Sequence, residues 1–137
     1  MTMSSEISSR SRRVLFWLLV ANVVATIFHY ADNVCYFPSY PEPLWLNPSL
    51  VDAFWFVMTP VAVVGYWLIQ RGVIHCGCFV LYAYAAASLL VLGHYLYAPF
   101  FSISARIHLF IFFEAALALV LILYVATIQT RRIQTSA

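Results

Sequence analysis

The sequence predicts an all-α integral membrane protein, an antiparallel four-helix bundle with one ordered outer loop. Three observations predict it. Of 137 residues, 64% are apolar and only 9% charged, against roughly 45–50% and about 25% in ordinary globular chains. Four mainly apolar stretches reach the length of about 20 residues that a helix needs to cross roughly 30 Å of hydrocarbon. The seven cationic residues, all arginine, fall almost entirely on one side of those stretches. A soluble chain of this size has too much surface to hide so much apolar side chain. So little charge also excludes a disordered chain, and the absence of lysine leaves no footprint for nucleic acid. The apolar runs are too long, and lack the alternation, for β-barrel strands.

Span one covers about residues 14–30, span two 51–70, span three 73–97 and span four 103–129. The one substantial loop, residues 31–50, carries Pro38, Pro41, Pro43 and Pro48. Its prolines forbid a regular helix, and Tyr36, Tyr40 and Trp45 suit a membrane–water boundary. It should lie on the bundle as a cap. The other connections are short, which places consecutive helices side by side and antiparallel. Pro60 falls mid-span and should kink span two, which can open a cavity beneath the outer mouth. Small residues on span three (Ala83, Ala85, Ala86, Ala87, Ser88) and span four (Ala115, Ala116, Ala118) should permit close helix approach.

Arg10, Arg12 and Arg13 precede span one, Arg71 separates spans two and three, and Arg131 and Arg132 follow span four. Only Arg106 falls on the other side, so the positive-inside rule puts both termini in the cytoplasm. A basic start before a short apolar run also fits a cleaved signal peptide. The polar residues of the bundle, however, need span one in place.

Ionisable groups within a span are costly and need a partner, a wet cavity or a function. His29, His94 and His108 occur on three different spans, each near its outer end, with Asp32 and Asp52 at the same level. Asn22, Thr26, His29 and Asn33 recur along one face of span one, a stripe that should point into the bundle. Three imidazoles and a carboxylate suit a metal ion, zinc, copper or iron, with His29, His94 and His108 as nitrogen ligands and Asp32 as an oxygen ligand or orienting partner. A haem between two of the histidines is a second reading. A third has the histidines simply hydrogen-bonded to tyrosines and carboxylates, with no ion. Glu114 is the deepest acid, six residues beyond His108 and so about 9 Å further along the axis and roughly 120° around it. Glu114 and Asp52 are the candidate acid–base groups for chemistry on a membrane-partitioned substrate. His75, Cys76 and Cys78 stand together at the inner end but offer only three donors, and read as reduced thiols beside a histidine. Cys35 is alone on the outer side, so no C-x-x-C redox pair is present.

Arg12-Arg13 leading into Trp17-Leu18-Leu19, Asp32 near the outer end of that span, Tyr40-Pro41 in the loop, Pro60 inside span two and Gly72 closing it form a recognisable layout. It resembles the EXPERA-type four-helix membrane proteins, the group of the sigma-2 receptor and the sterol isomerases. The resemblance implies a lipid- or sterol-like ligand in an aromatic-lined pocket, with Asp32 as the transferable acid. Expected partners are therefore the lipid membrane itself, a hydrophobic small molecule, or a larger membrane complex in which the chain, 18% of it aromatic, is an accessory subunit.

Overall fold

The computed structural model describes residues 7–136, with side chains through Arg131. Arg132, one of the inner arginines, has its side chain outside the described residues. Helix α1 runs Ser9–Cys35, α2 Pro48–Gln70 and α3 Ile74–Ser88. A 3₁₀ segment, Leu89–Gly93, continues α3 into the short α4, His94–Tyr97, and α5 runs Ala105–Ser136. With α3 and α4 taken as one, four helices are long and apolar enough to cross a membrane, as in a multi-pass integral membrane protein. Among the described residues there is no strand.

Local chemistry explains where these helices start and stop. Ser8 caps α1 by accepting the Ser11 N–H. Asn47 caps α2 by accepting the Leu50 N–H, with Pro48 in the first turn. There the missing proline donor costs nothing. That pair starts α2 three residues before the hydropathy does. At the other end of α2, Gly72 takes φ +80°. The N–H groups of Val73 and Gly72 then bond the carbonyls of Leu68 and Ile69, at 3.0 and 3.1 Å. This double closure needs a left-handed residue, which glycine supplies without strain. It lets α3 fold straight back along α2.

The helices form a closed ring: α1 packs on α2 and α5, and α3 on α2 and α5. The approach of α2 to α3 is the closest. A Cβ built on Gly77 would meet Ile69 Cγ1 at 2.5 Å and the Gly65 carbonyl oxygen at 3.0 Å. Only part of the small-residue set contributes to packing, since Ala85, Ser88, Ala115 and Ala118 are buried while Ala83, Ala86 and Ala116 face outward. Helix α2 is continuous through Pro60.

Two apolar clusters hold the bundle. One, towards the termini, includes Leu15, Ile69, Cys78, Leu81, Leu121 and Val125. The other, at the loop end, includes Val91, Ile103, Ile107 and Ile111, and Tyr40 from the loop is inserted into it. The loop is thus an ordered cap, with Leu44 and Trp45 left exposed on its outer rim. Buried Asn22, Thr26, His29, Asn33, Ser88, His94 and Glu114 add a polar layer to this core.

Candidate functional site

The polar stripe of α1 points inward along its full length: Asn22, Thr26, His29 and Asn33 are all buried. Each finds a partner, as side chains inside a hydrocarbon slab must. Asn22 donates to the carbonyls of Leu18 and Leu117, at 2.9 and 3.2 Å. Thr26 donates to its own helix at Val23. Asn33 donates to Glu42 Oε1 at 2.5 Å, tying the loop to the helix end.

His29 meets the deep acid. Its Nδ1 lies 2.5 Å from Glu114 Oε2, and the two residues are 4% and 1% exposed. Its Nε2 is buried with no hydrogen-bond partner among the described residues. The ring of His94 stands against it in a T-shaped contact, centroids 5.5 Å apart, and Tyr40 completes a triangle of rings, 5.8 Å from His29 and 5.4 Å from His94. His94 Nδ1 is 3.2 Å from the Pro41 carbonyl and 3.5 Å from Glu42 Oε1. Since a carbonyl only accepts, His94 carries its hydrogen on Nδ1 and leaves Nε2 bare when neutral.

Why His94 faces this way is a matter of helical pitch. A 3₁₀ turn advances 120° per residue against 100° in an α-helix, so five residues of it rotate the next turn of chain by about 100°. The Leu89–Gly93 segment turns His94 away from the face a regular helix would give it.

Asp32 is held apart from this pair. It receives Arg106 Nη1 at 2.8 Å and the Tyr40 hydroxyl at 2.7 Å. The Arg106 guanidinium also lies 3.9 Å over the Tyr36 ring. Burial first, and the Asp32 hydrogen bond second, push the Tyr40 hydroxyl above the ordinary tyrosine range, so it remains a donor. Arg106 and Asp32 therefore latch α5, α1 and the loop together. Because the arginine is partly exposed, Arg106→Gln should cost no more than about 1 kcal/mol. Cleavage of the 36–47 loop by added protease should nevertheless accelerate, and unchanged proteolysis rates would remove the latch role.

The residues that the sequence offers as metal ligands, His29, Asp32, His94 and His108, are not brought together as one set. Among the described residues no three His, Cys, Asp or Glu side chains gather closely enough to hold an ion. His108 lies in an aromatic stack, 4.2 Å from Phe100 between ring centroids. Both its nitrogens are engaged, Nδ1 with the Tyr95 hydroxyl at 2.8 Å and Nε2 with the Phe100 carbonyl at 3.1 Å. Its angular offset from Glu114 on α5 is the reason, since the face carrying Glu114 is the one turned to His29. Asp32 is consumed by Arg106 and Tyr40. His29 and His94 stand edge to face, 5.5 Å between ring centroids. Asp52 is exposed in an early turn of α2 and makes no hydrogen bond or ion pair among the described residues.

A narrow cleft, with an enclosed volume of about 10 Å³ and one open side, lies beside the His29–Glu114 pair. Thr26 and Tyr30 of α1, Trp55 and Thr59 of α2, Tyr84 and Ser88 of α3, and Glu114 of α5 line it. The Tyr84 hydroxyl stands near Thr26 and Ser88 without closing a hydrogen bond. On α2 the lining residues fall in the turns just before Pro60, where the sequence places a cavity. Of the residues that build the site, Glu42, Tyr40 and Arg106 carry roles the sequence reading did not give them. Glu42 had a signal, an acid fixed between Pro41 and Pro43. So did Arg106, the lone cation at the level of Asp32.

Compared with protein-family models, curated proteins and solved structures, the chain matches none.

Proposed function

We propose that this chain binds a membrane-partitioned small molecule, mostly apolar with one hydrogen-bonding group, in the cleft between α1, α2 and α3. Glu114 meets the polar end of that molecule, and His29 holds the carboxyl in place and can exchange a proton with it. One observation carries the reading: a fully buried carboxyl forms part of the cleft wall and is clamped by a histidine. Ligand pockets are mostly apolar and aromatic with a few convergent polar groups, and this cleft has that make-up. It lies along α2, the least buried of the four candidate spans, so access is from the bilayer. The EXPERA-like layout points the same way, towards a lipid- or sterol-like ligand, although the acid in the cleft is Glu114 and not Asp32. The arginine bias puts the termini in the cytoplasm and the loop end on the opposite side.

The site supplies acid–base chemistry as well as binding. A carboxyl and an imidazole in contact share a proton that either can deliver to a group at the cleft. Native mass spectrometry on protein released from mild detergent tests the proposal. Wild type should retain a co-purified apolar molecule, and Glu114→Gln, which keeps the hydrogen bond to His29 but loses the acid, should retain at least fivefold less. Equal retention would overturn the role of Glu114, and absence of any bound molecule in wild type would overturn the cleft.

A further inference from the structure

We propose that His94 and His29 form a proton route from the loop end of the bundle to Glu114. The inference rests on Glu114 being the polar group of the cleft, and it supplies what that reading lacks, a source for the proton.

Three ionisable groups stand in sequence across three helices. His94, 8% exposed, lies beneath the loop. Its ring is 5.5 Å from that of His29 between centroids, so a small swing of either ring brings the two Nε2 atoms within reach of one another or of one bridging water. His29 Nδ1 is 2.5 Å from Glu114. The hydrogen positions are set by the partners. The Pro41 carbonyl fixes the hydrogen of neutral His94 on Nδ1. An ionised Glu114 does the same for His29. Both Nε2 atoms then carry lone pairs, and that of His29 is buried without a partner. His29 can then take a proton at Nε2 and release another from Nδ1, while His94 takes and passes its proton at Nε2 alone.

The charged and titratable groups around the route are few. Facing these groups are His29, Tyr30 and Asp32 of α1, Tyr40 and Glu42 of the loop, Tyr84 and His94 of the third span, and Arg106 and Glu114 of α5. Arg106 and Asp32 neutralise one another at 2.8 Å. What remains is two carboxyls, Glu42 and Glu114, flanking two imidazoles. Glu42, held by Asn33 and 3.5 Å from His94 Nδ1, is a positioning residue that supports the imidazolium.

Protons balance along the route. A hydronium ion at the loop end gives a proton to His94 Nε2 and leaves as water, forming an imidazolium whose Nδ1–H stays on Pro41 and Glu42. That Nε2 proton passes to His29 Nε2, and His29 releases its Nδ1 proton to Glu114 Oε2. One proton has entered and one has arrived. His94 is neutral again, and His29 is left with its hydrogen on Nε2.

Dicyclohexylcarbodiimide, an apolar reagent that attacks protonated carboxyls from the bilayer, tests this in the full chain. The protein is placed in sealed liposomes with a single orientation, and modification of Glu114 is read by peptide mass spectrometry. Labelling should rise as pH falls on the loop side, with pH on the termini side held constant. His94→Phe should cut labelling at low loop-side pH at least fivefold. Labelling that tracks only the termini-side pH, tracks neither, or is equal in His94→Phe would overturn the route while leaving the cleft intact. No labelling of Glu114 under any condition would overturn both. Should His94→Phe fail to fold, the sidedness measured on the unaltered protein decides alone.

Discussion

Glu114→Leu should destabilise the bundle by about 3–5 kcal/mol, and adding His29→Leu should restore a large part of that loss. The first figure is the typical cost of removing one partner from a buried pair, which leaves the other uncompensated. Glu114 and His29 are 1% and 4% exposed, so water offers no substitute for either partner. The second expectation holds because replacing both members by apolar side chains of similar volume removes the desolvation penalty along with the attraction. The double-mutant cycle measured by thermal or denaturant unfolding in detergent would then show coupling of opposite sign to the single losses. Strictly additive losses would mean that the pair is not a unit. A bundle more stable without the pair would also mean that the pair is kept for its chemistry.

Gly77→Leu should be the most damaging small-to-large change in the chain. The Cβ alone would sit 2.5 Å from Ile69 Cγ1 and 3.0 Å from the Gly65 carbonyl oxygen. The first is the middle of a packed side chain and the second is backbone, so neither can move aside cheaply. Overpacking usually costs about 1–3 kcal/mol, and here α2 and α3 must separate for the whole side chain to enter. The loss should reach the upper end of that range or prevent assembly. Gly93→Ala is the matched control, because a Cβ there meets nothing within 4 Å. Comparable melting temperatures for the two variants would show that the α2–α3 approach is looser than described.

Class and helix order were legible because hydropathy acts on whole segments. The four spans and the capping loop are where the sequence puts them. Span one extends beyond its apolar run because Asp32 and Asn33 have partners, Arg106 and Glu42, which keep a polar turn helical. The inward stripe of α1 could be read from spacing alone, since four polar residues on one face of a membrane helix have only one tolerable direction.

The partners on the other helices could not be read this way. Depth along the membrane grouped His29, His94 and His108 together, but depth ignores rotation about each axis. On α5 that rotation turns Glu114 towards α1 and leaves His108 among Tyr95, Phe100 and Phe112. On the third span, no residue pattern announces that Leu89–Gly93 tightens to a 3₁₀ turn, and His94 owes its direction to it.

The partners of α1 carry a consequence for biogenesis. Asn22 bonds Leu117, His29 bonds Glu114 and Asp32 bonds Arg106, so α1, the earliest of these helices to be made, is completed by α5. During synthesis α1 must wait in the bilayer with its inward polar side unmatched until α5 leaves the ribosome. Assembly of the bundle therefore waits on α5, and a nascent chain halted before Arg106 offers cellular quality control an exposed row of amide and imidazole groups.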